Sequence, residues 1–179
     1  MKGIIFNLLE EAVIEQFGDG VWEDLLAASG AGGVYTSLGS YPDAEAVALV
    51  GAASAALDQP AADVLRWFGM TMMPRFVDRY AALFAPHRNT REFLLALNTI
   101  IHPEVHKLYP GAVCPHFRYQ SSEADRLTLG YNSPRRLCAL AEGLILGAAA
   151  HYGEQVRVEQ EACMHHGARA CELAVRWVS

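Results

Sequence analysis

The feature that most constrains this chain is a change of hydrophobic period. Up to about residue 110, apolar side chains recur every three or four positions; beyond residue 116 they alternate. Residues 3–17 set Ile4, Ile5, Leu8, Leu9, Ala12 and Val13 on one helical stripe with Glu10, Glu11 and Glu15 opposite, and Gly18 ends it. A short helix follows through Val21, Trp22, Leu25 and Leu26. Another opens at Tyr41-Pro42-Asp43 and runs to Leu57, and a fourth spans Ala61 to about Tyr80 with Pro60 in its first turn. Asn89-Thr90-Arg91-Glu92 has the form of a capping box for a helix that reaches His102-Pro103, where the proline predicts a kink or a restart. The second period then takes over. Phe117–Gln120 and Arg126–Tyr131 read as a hairpin around the polar turn 121–125, and Val156–Gln160 and Cys171–Trp177 as two more strands. Between them Ser133-Pro134 reads as N-cap and first turn of a long apolar helix that Gly153 closes. Helices first, then a small antiparallel sheet interrupted by one helix, make the class α+β.

The 179 residues allow one domain with a substantial core. Lys and Arg total 14 against 20 Asp and Glu, a net charge of −6 without a basic stripe, which argues against nucleic acid as a partner. Hydrophobic residues at 52% and charged residues at 19% imply a large apolar interior or a pocket for an apolar cofactor. The N-terminus reaches acidic residues too soon for a secretory segment. The richest apolar run, Leu137 to His151, contains Glu142 and is too short to span a bilayer. The expectation is a soluble cytoplasmic protein with no membrane partner, whose four cysteines are thiols or metal ligands rather than disulfides. The glycines of Ser29–Gly33 lack a phosphate-binding spacing, and no Ser/His/Asp set or paired carboxylate pattern argues for catalysis.

Two places carry chemistry. His102 stands at the end of an apolar face formed by Ile100, Ile101, Val105 and Leu108. Alone, such a histidine is most often a satisfied core residue, yet a neutral imidazole facing an apolar cavity is also what haem iron takes as a ligand. Tyr131-Asn132-Ser133-Pro134-Arg135 can bring a phenol, a hydroxyl, a guanidinium and a helix N-terminus to one spot, a set suited to paired carboxylates. The plainer reading is a capped helix with Arg135 on the surface.

Together with Met1-Lys2-Gly3-Ile4-Ile5-Phe6-Asn7, Phe68-Gly69, the run Ile101 to Pro110, and Pro115, the Tyr-x-Ser-x-Arg spacing resembles the haem–nitric oxide/oxygen binding (H-NOX) family over essentially the whole chain. The resemblance implies haem b held between an N-terminal helical subdomain (1–60) and a haem-ligating subdomain (61–179). It makes His102 the iron ligand, although His106 one turn away is locally an equal competitor. It assigns Tyr131, Ser133 and Arg135 to the propionates, and Ile5 and Pro115 to positions that distort the porphyrin. His87, His116 and His151 read as surface residues.

Family members that hold oxygen place a tyrosine on the distal side. Here the matching positions are Leu9, Pro74 and Leu140, with Leu144 nearby, and none has a side-chain donor. The resemblance therefore implies a nitric oxide sensor that excludes oxygen, unless Tyr80 turns inward. It implies signalling by weakening of the His102 bond, haem relaxation and a shift of the N-terminal helices. The separate partner in relatives is a histidine kinase or a cyclic-di-GMP enzyme. Rival readings are a haem enzyme activating oxygen or peroxide and a zinc-thiol redox sensor. The latter rests on Cys138, Cys163 and Cys171, which have the composition of a structural zinc site. In zinc-binding relatives with a similar cysteine pattern an imidazole ligand lies upstream of the first cysteine of the Cys163–Cys171 segment, where this chain has Gln160. The fourth ligand is then His165, His166 or none. Cys114 beside Pro115 reads as a small buried hydrophobe.

Overall fold

A computed structural model describes residues 1–178. Its helices are α1 (Gly3–Phe17), α2 (Asp19–Ser29), α3 (Asp43–Leu57), α4 (Ala61–Arg79), α5 (Ala81–Phe84), α6 (Thr90–Leu95), α7 (His102–Leu108) and α8 (Cys138–His151). The strands are β1 (His116–Glu123), β2 (Arg126–Asn132), β3 (Val156–Ala162) and β4 (Cys171–Trp177), an antiparallel sheet in the order β1-β2-β4-β3. The α+β class read from the sequence is what the chain adopts. The C-terminal part expected over 61–179 ends on Ser179, which lies outside the described residues. Among those residues no helix is long and apolar enough to cross a membrane.

Local chemistry explains most of the boundaries. Gly18 takes φ 91°, which ends α1 and lets α2 start at once. Asn89 accepts the Glu92 N–H at 2.9 Å and caps α6, a contact worth about 1 kcal/mol. The box is half-formed, since the Glu92 carboxylate receives the Arg88 N–H instead. Two expectations fail for identifiable reasons. Ser133-Pro134 does not start the long helix. Ser133 Oγ accepts the Arg135 N–H at 3.3 Å, Arg136 follows at φ 50°, and α8 begins only at Cys138. The hydroxyl closes a local turn that competes with a helical cap. Nor does Pro103 force His102 out of helical geometry: His102 keeps φ −64° and ψ −39°, and a π-turn at residues 97–101 absorbs the discontinuity.

Two apolar cores share α4. One joins the inner face of the sheet (Leu127, Leu129, Leu173, Val175) to Ile145 and Ala148 of α8 and to Phe93 and Leu94 of α6. Each large side chain buried there contributes about 1.5–3 kcal/mol. The other gathers Ile4, Phe6, Leu8 and Leu9 of α1 with Trp22, Leu25, Leu49, Phe68 and Met72. Neighbouring residues of α4 thus serve different cores, Met72 the N-terminal one and Met73 the sheet side.

Candidate functional site

A cavity of about 370 Å³ lies between α4 and α8 on one side and α7 with its flanking segments on the other. Each wall has a simple origin. α4 offers Met72, Met73 and Phe76; α8 offers Leu140, Ala141, Leu144 and Ile145; the opposite wall carries Leu97, Ile101, His102, Val105, Pro115 and Phe117. The lining is overwhelmingly apolar, and three of its polar residues, Tyr131, Ser133 and Arg135, gather at one end.

His102 is the histidine of that lining, whereas His106 lies exposed on the outer face of α7. This separates two residues that local sequence left equal. The His102 ring lies 6.0 Å from the Phe117 ring. Burial pushes its pKa down to about 4, with His106 and His116 acting the same way and the Pro115 carbonyl opposing. The imidazole is therefore neutral at pH 7, the form that ligates metal. His116 and His151 are exposed, His87 is half-buried, and all three stand outside the lining.

The polar end holds Tyr131, Ser133 and Arg135. Tyr131 is 3% exposed, its hydroxyl accepts the Leu137 N–H at 3.0 Å, and burial raises its pKa against the opposing Ser133 hydroxyl. Arg135 donates from Nε to Asp43 at 2.7 Å and from Nη1 to the Val113 carbonyl at 2.8 Å. Two of its five donors are so engaged, which leaves part of the fork for a further carboxylate. Asp43, at the start of α3, also faces the Met1 ammonium at 2.7 Å. Burial alone would raise its carboxyl, but Arg135 and that ammonium hold it below the ordinary range. Sequence reasoning missed Asp43, since nothing local marks a residue 92 positions from its partner.

The structure brings Ile5, Pro115, Leu140 and Leu144 into the same cavity lining. It does not bring in all the expected distal residues. Leu9 is buried but lines a neighbouring groove together with Ile5 and Leu140, and Pro74 is exposed on α4 and lines neither space. Pro74 follows Met72 and Met73, which face inward, so the helix turns it to solvent. Tyr80 does reach the cavity, but its hydroxyl is hydrogen-bonded to that of Tyr109. Cys114 is half-buried in the lining, and burial raises its thiol pKa.

The wall formed by α4 and α8 was also missed. A Cβ on Gly143 would stand 2.1 Å from the Arg66 carbonyl oxygen, and one on Gly69 2.5 Å from that of Leu140. The two helices pack backbone to backbone, and the spacing Gly143-x-x-x-Gly147 was the available signal.

A second cluster lies outside the cavity. The sulfurs of Cys138, Cys163 and Cys171 all lie within 4.8 Å of one another, and all three residues are buried. The Cys138 and Cys163 sulfurs are 3.9 Å apart, and Cys171 Sγ accepts the Met164 N–H at 3.3 Å. Burial pushes the Cys171 thiol up to about 12. His165 does not join them: it is exposed, and its Nε2 lies 2.8 Å from the Arg136 carbonyl. Gln160 and His166 are exposed at the groove beside the cluster.

Comparison with known proteins agrees with this architecture. The family described as Haem-NO-binding matches residues 2–160. An H-NOX protein from S. oneidensis, solved in the Fe(II)NO ligation state, is 35% identical with a TM-score of 0.94 and both chains covered in full. The H-NOX domain of Shewanella oneidensis in the Fe(II)CO state matches at 35% identity and TM-score 0.90, over 100% of this chain and 99% of that one. The unliganded Fe(II) H-NOX protein from K. algicida matches at 28% identity and TM-score 0.90, over 100% and 97%. With fold and sequence in agreement, this chain belongs to the haem-NO-binding, or H-NOX, family.

Proposed function

We propose that the protein is a haem-based sensor of nitric oxide that excludes oxygen and signals to a separate protein. The observation that carries this reading is the cavity itself: apolar walls, one neutral histidine on one side, and Tyr131, Ser133 and Arg135 at one end. That donor set fits haem b, a flat apolar group with iron at its centre and two carboxylates at its edge. Held there, haem supplies ferrous iron as the point at which nitric oxide binds.

The chain's own residues do the rest. His102 presents a neutral imidazole to iron. Arg135, with Ser133 and Tyr131 beside it, offers charge-assisted and neutral donors to the propionates. Pro115 and Ile5 line the cavity where they would press on the macrocycle. Leu140 and Leu144 face His102 without a side-chain donor and would offer a gas ligand no hydrogen bond, and the Tyr80 hydroxyl is paired with that of Tyr109. Leu9 backs this wall from the neighbouring groove, and Pro74 stands outside it. The output is a shift of the N-terminal part (1–60), which has its own core and meets the cavity edge through Asp43 and Arg135, when the His102 anchor relaxes. The receiver is a histidine kinase or a cyclic-di-GMP enzyme in the cytoplasm. The role is sensing rather than catalysis, because Leu140 and Leu144, on the wall facing His102, carry no acid–base group of the kind a peroxidase or oxygen-activating enzyme requires.

A ferrous optical spectrum in air, then with nitric oxide, tests this reading. The expected result is an unliganded spectrum in air that changes on adding nitric oxide. A stable oxygen-bound spectrum in air would refute oxygen exclusion, and a protein purified without haem uptake would refute the whole reading.

A second reading is favoured by the convergence of three buried thiols. Cys138, Cys163 and Cys171 suit zinc, which would hold them as thiolates despite their burial. The fourth position falls to a group other than His165 in its present orientation. Zinc analysis of the purified protein, with Cys163→Ser as control, checks it: about one zinc per chain, lost in the variant, is expected.

A further inference from the structure

The polypeptide leading into His102 is irregular, and one polar side chain there makes an unusually specific contact. Residues 97–101 form a π-turn, with the Ile101 N–H reaching back to the Ala96 carbonyl at 3.1 Å. Such turns insert a residue into a helix and occur frequently at functional sites. Within this one, Asn98 is half-buried. Its Nδ2 donates to the Phe117 carbonyl at 2.7 Å, and its Oδ1 accepts the Phe117 N–H at 3.0 Å.

A carboxamide that meets both the donor and the acceptor of one backbone residue fixes position and orientation together. Asparagine is the short side chain that does this: alanine offers neither group, and aspartate would set negative charge against the carbonyl oxygen. The residue it holds is the one whose ring packs beside the His102 imidazole. Two positions earlier stands Pro115, which lines the same cavity as His102. The backbone of Phe117 is thus pinned from the π-turn while its ring meets the next turn of the same helical segment.

We propose that Asn98 is a positioning residue of the haem site: by clamping Phe117 it holds segment 115–117 against the helix that carries His102, and so sets the orientation in which the imidazole meets iron. The π-turn brings residues 98 and 102 to the same strand residue. Groups that support a metal-bound histidine from behind orient it and tune its basicity. The inference rests on the reading of His102 as the iron ligand.

The test is the iron–histidine stretching band in resonance Raman spectra of the ferrous, unliganded, haem-loaded protein, for wild type, Asn98→Ala and Asn98→Asp. Hydrogen exchange at the Phe117 amide is measured in parallel. In Asn98→Ala the amide should exchange about three- to tenfold faster, the loss of one net hydrogen bond, and the band should be displaced and broadened. Asn98→Asp keeps an acceptor for the Phe117 N–H but repels the carbonyl, so amide protection should largely return while the band stays displaced. An unchanged band in both variants, with faster amide exchange in Asn98→Ala, overturns the proposal and leaves Asn98 as a staple of the fold. If Asn98→Ala does not retain haem, Asn98→Asp decides alone, and a wild-type band there overturns the proposal. A wild-type protein with no iron–histidine band overturns the haem reading and this inference with it, a failure distinct from unchanged variants.

Discussion

The two walls of the cavity are built in opposite ways. On one side α4 and α8 meet backbone to backbone, with Gly69, Gly143 and Gly147 leaving no room for a Cβ, and more than half of α8 is buried. On the other, α7 has seven residues, none of them buried, and it joins α6 through a π-turn rather than a continuous helix. A wall closed by main-chain contact has one arrangement, because displacing it separates whole helices. A short helix with half-exposed contacts belongs to the low-stability end of a structure, where elements that move are found. The difference teaches where a ligand-dependent change can be housed: the histidine sits on the wall that can give, opposite the wall that cannot.

The largest effect should come from removing the weaker wall's histidine, the proposed link to iron. His102→Gly removes the imidazole and leaves haem held by burial and by the Tyr131–Arg135 end. Haem retention should fall severely and be restored by added imidazole, read from the ferrous spectrum. Retention of the wild-type spectrum without imidazole would move the ligand to another residue, although His106 lies exposed outside the cavity.

Stability should divide along the same line. Gly143→Ala would place a methyl 2.1 Å from the Arg66 carbonyl oxygen, so α4 and α8 must part. Overpacking of this kind costs about 1–3 kcal/mol, or a fall of several degrees in Tm for a chain of this size. Leu108→Ala on α7 removes a side chain that is 47% exposed and should stay within about 0.5 kcal/mol. Thermal unfolding of both variants checks this, and comparable losses would erase the contrast between the walls.

The contrast also marks what could be read from the sequence. Long elements with one dominant period were legible: α1, α4 and the strands owe their boundaries to apolar spacing and to glycine or proline at their ends. That His102 and the Tyr131, Ser133, Arg135 set would face one cavity was legible through a family resemblance, since their local spacing alone left the plainer reading ahead. What escaped depends on distant parts of the chain meeting. Asp43 finds Arg135, Asn98 finds Phe117, and Gly143 finds Arg66 only after folding. Pro74 and Leu9 fall short for a related reason, since matching a position does not determine which face of a helix meets the cavity. The start of α8 was misplaced because Ser133 has two hydrogen-bonding options, a helix cap and a local turn, and the structure takes the turn.

A smaller effect is expected where the two walls meet. Arg135→Ala removes the guanidinium from the polar end and, on the proposed reading, would leave a propionate without its charged partner. A partly wet site limits the loss to about 0–1 kcal/mol, and a well-buried pair raises it to a few kcal/mol. Arg135 is 22% exposed on its side chain, between those limits. Faster transfer of haem to an acceptor protein measures the loss, and unchanged kinetics would place Arg135 outside the propionate site.

The smallest effect concerns the link from this end to the N-terminal helices. Asp43→Asn keeps the size of the side chain and removes the charge that faces Arg135 and the Met1 ammonium. Asp43 is 44% exposed, so the ion pair is screened and its removal should cost about 0–1 kcal/mol. The sign of its pH dependence is definite. Because the folded carboxyl is held below its ordinary value, its contribution is fully present above the unfolded pKa, about 3.9. It is lost as pH falls from there through the depressed folded value. Wild type and Asp43→Asn should therefore differ in stability at neutral pH and converge on acidification below that point, as read from denaturant unfolding at each pH. Convergence places the pair as an electrostatic latch between the N-terminal helices and the propionate end. A difference that persists unchanged into acid would mean that Asp43 acts through packing, and that the N-terminal part reaches the cavity by its apolar contacts alone.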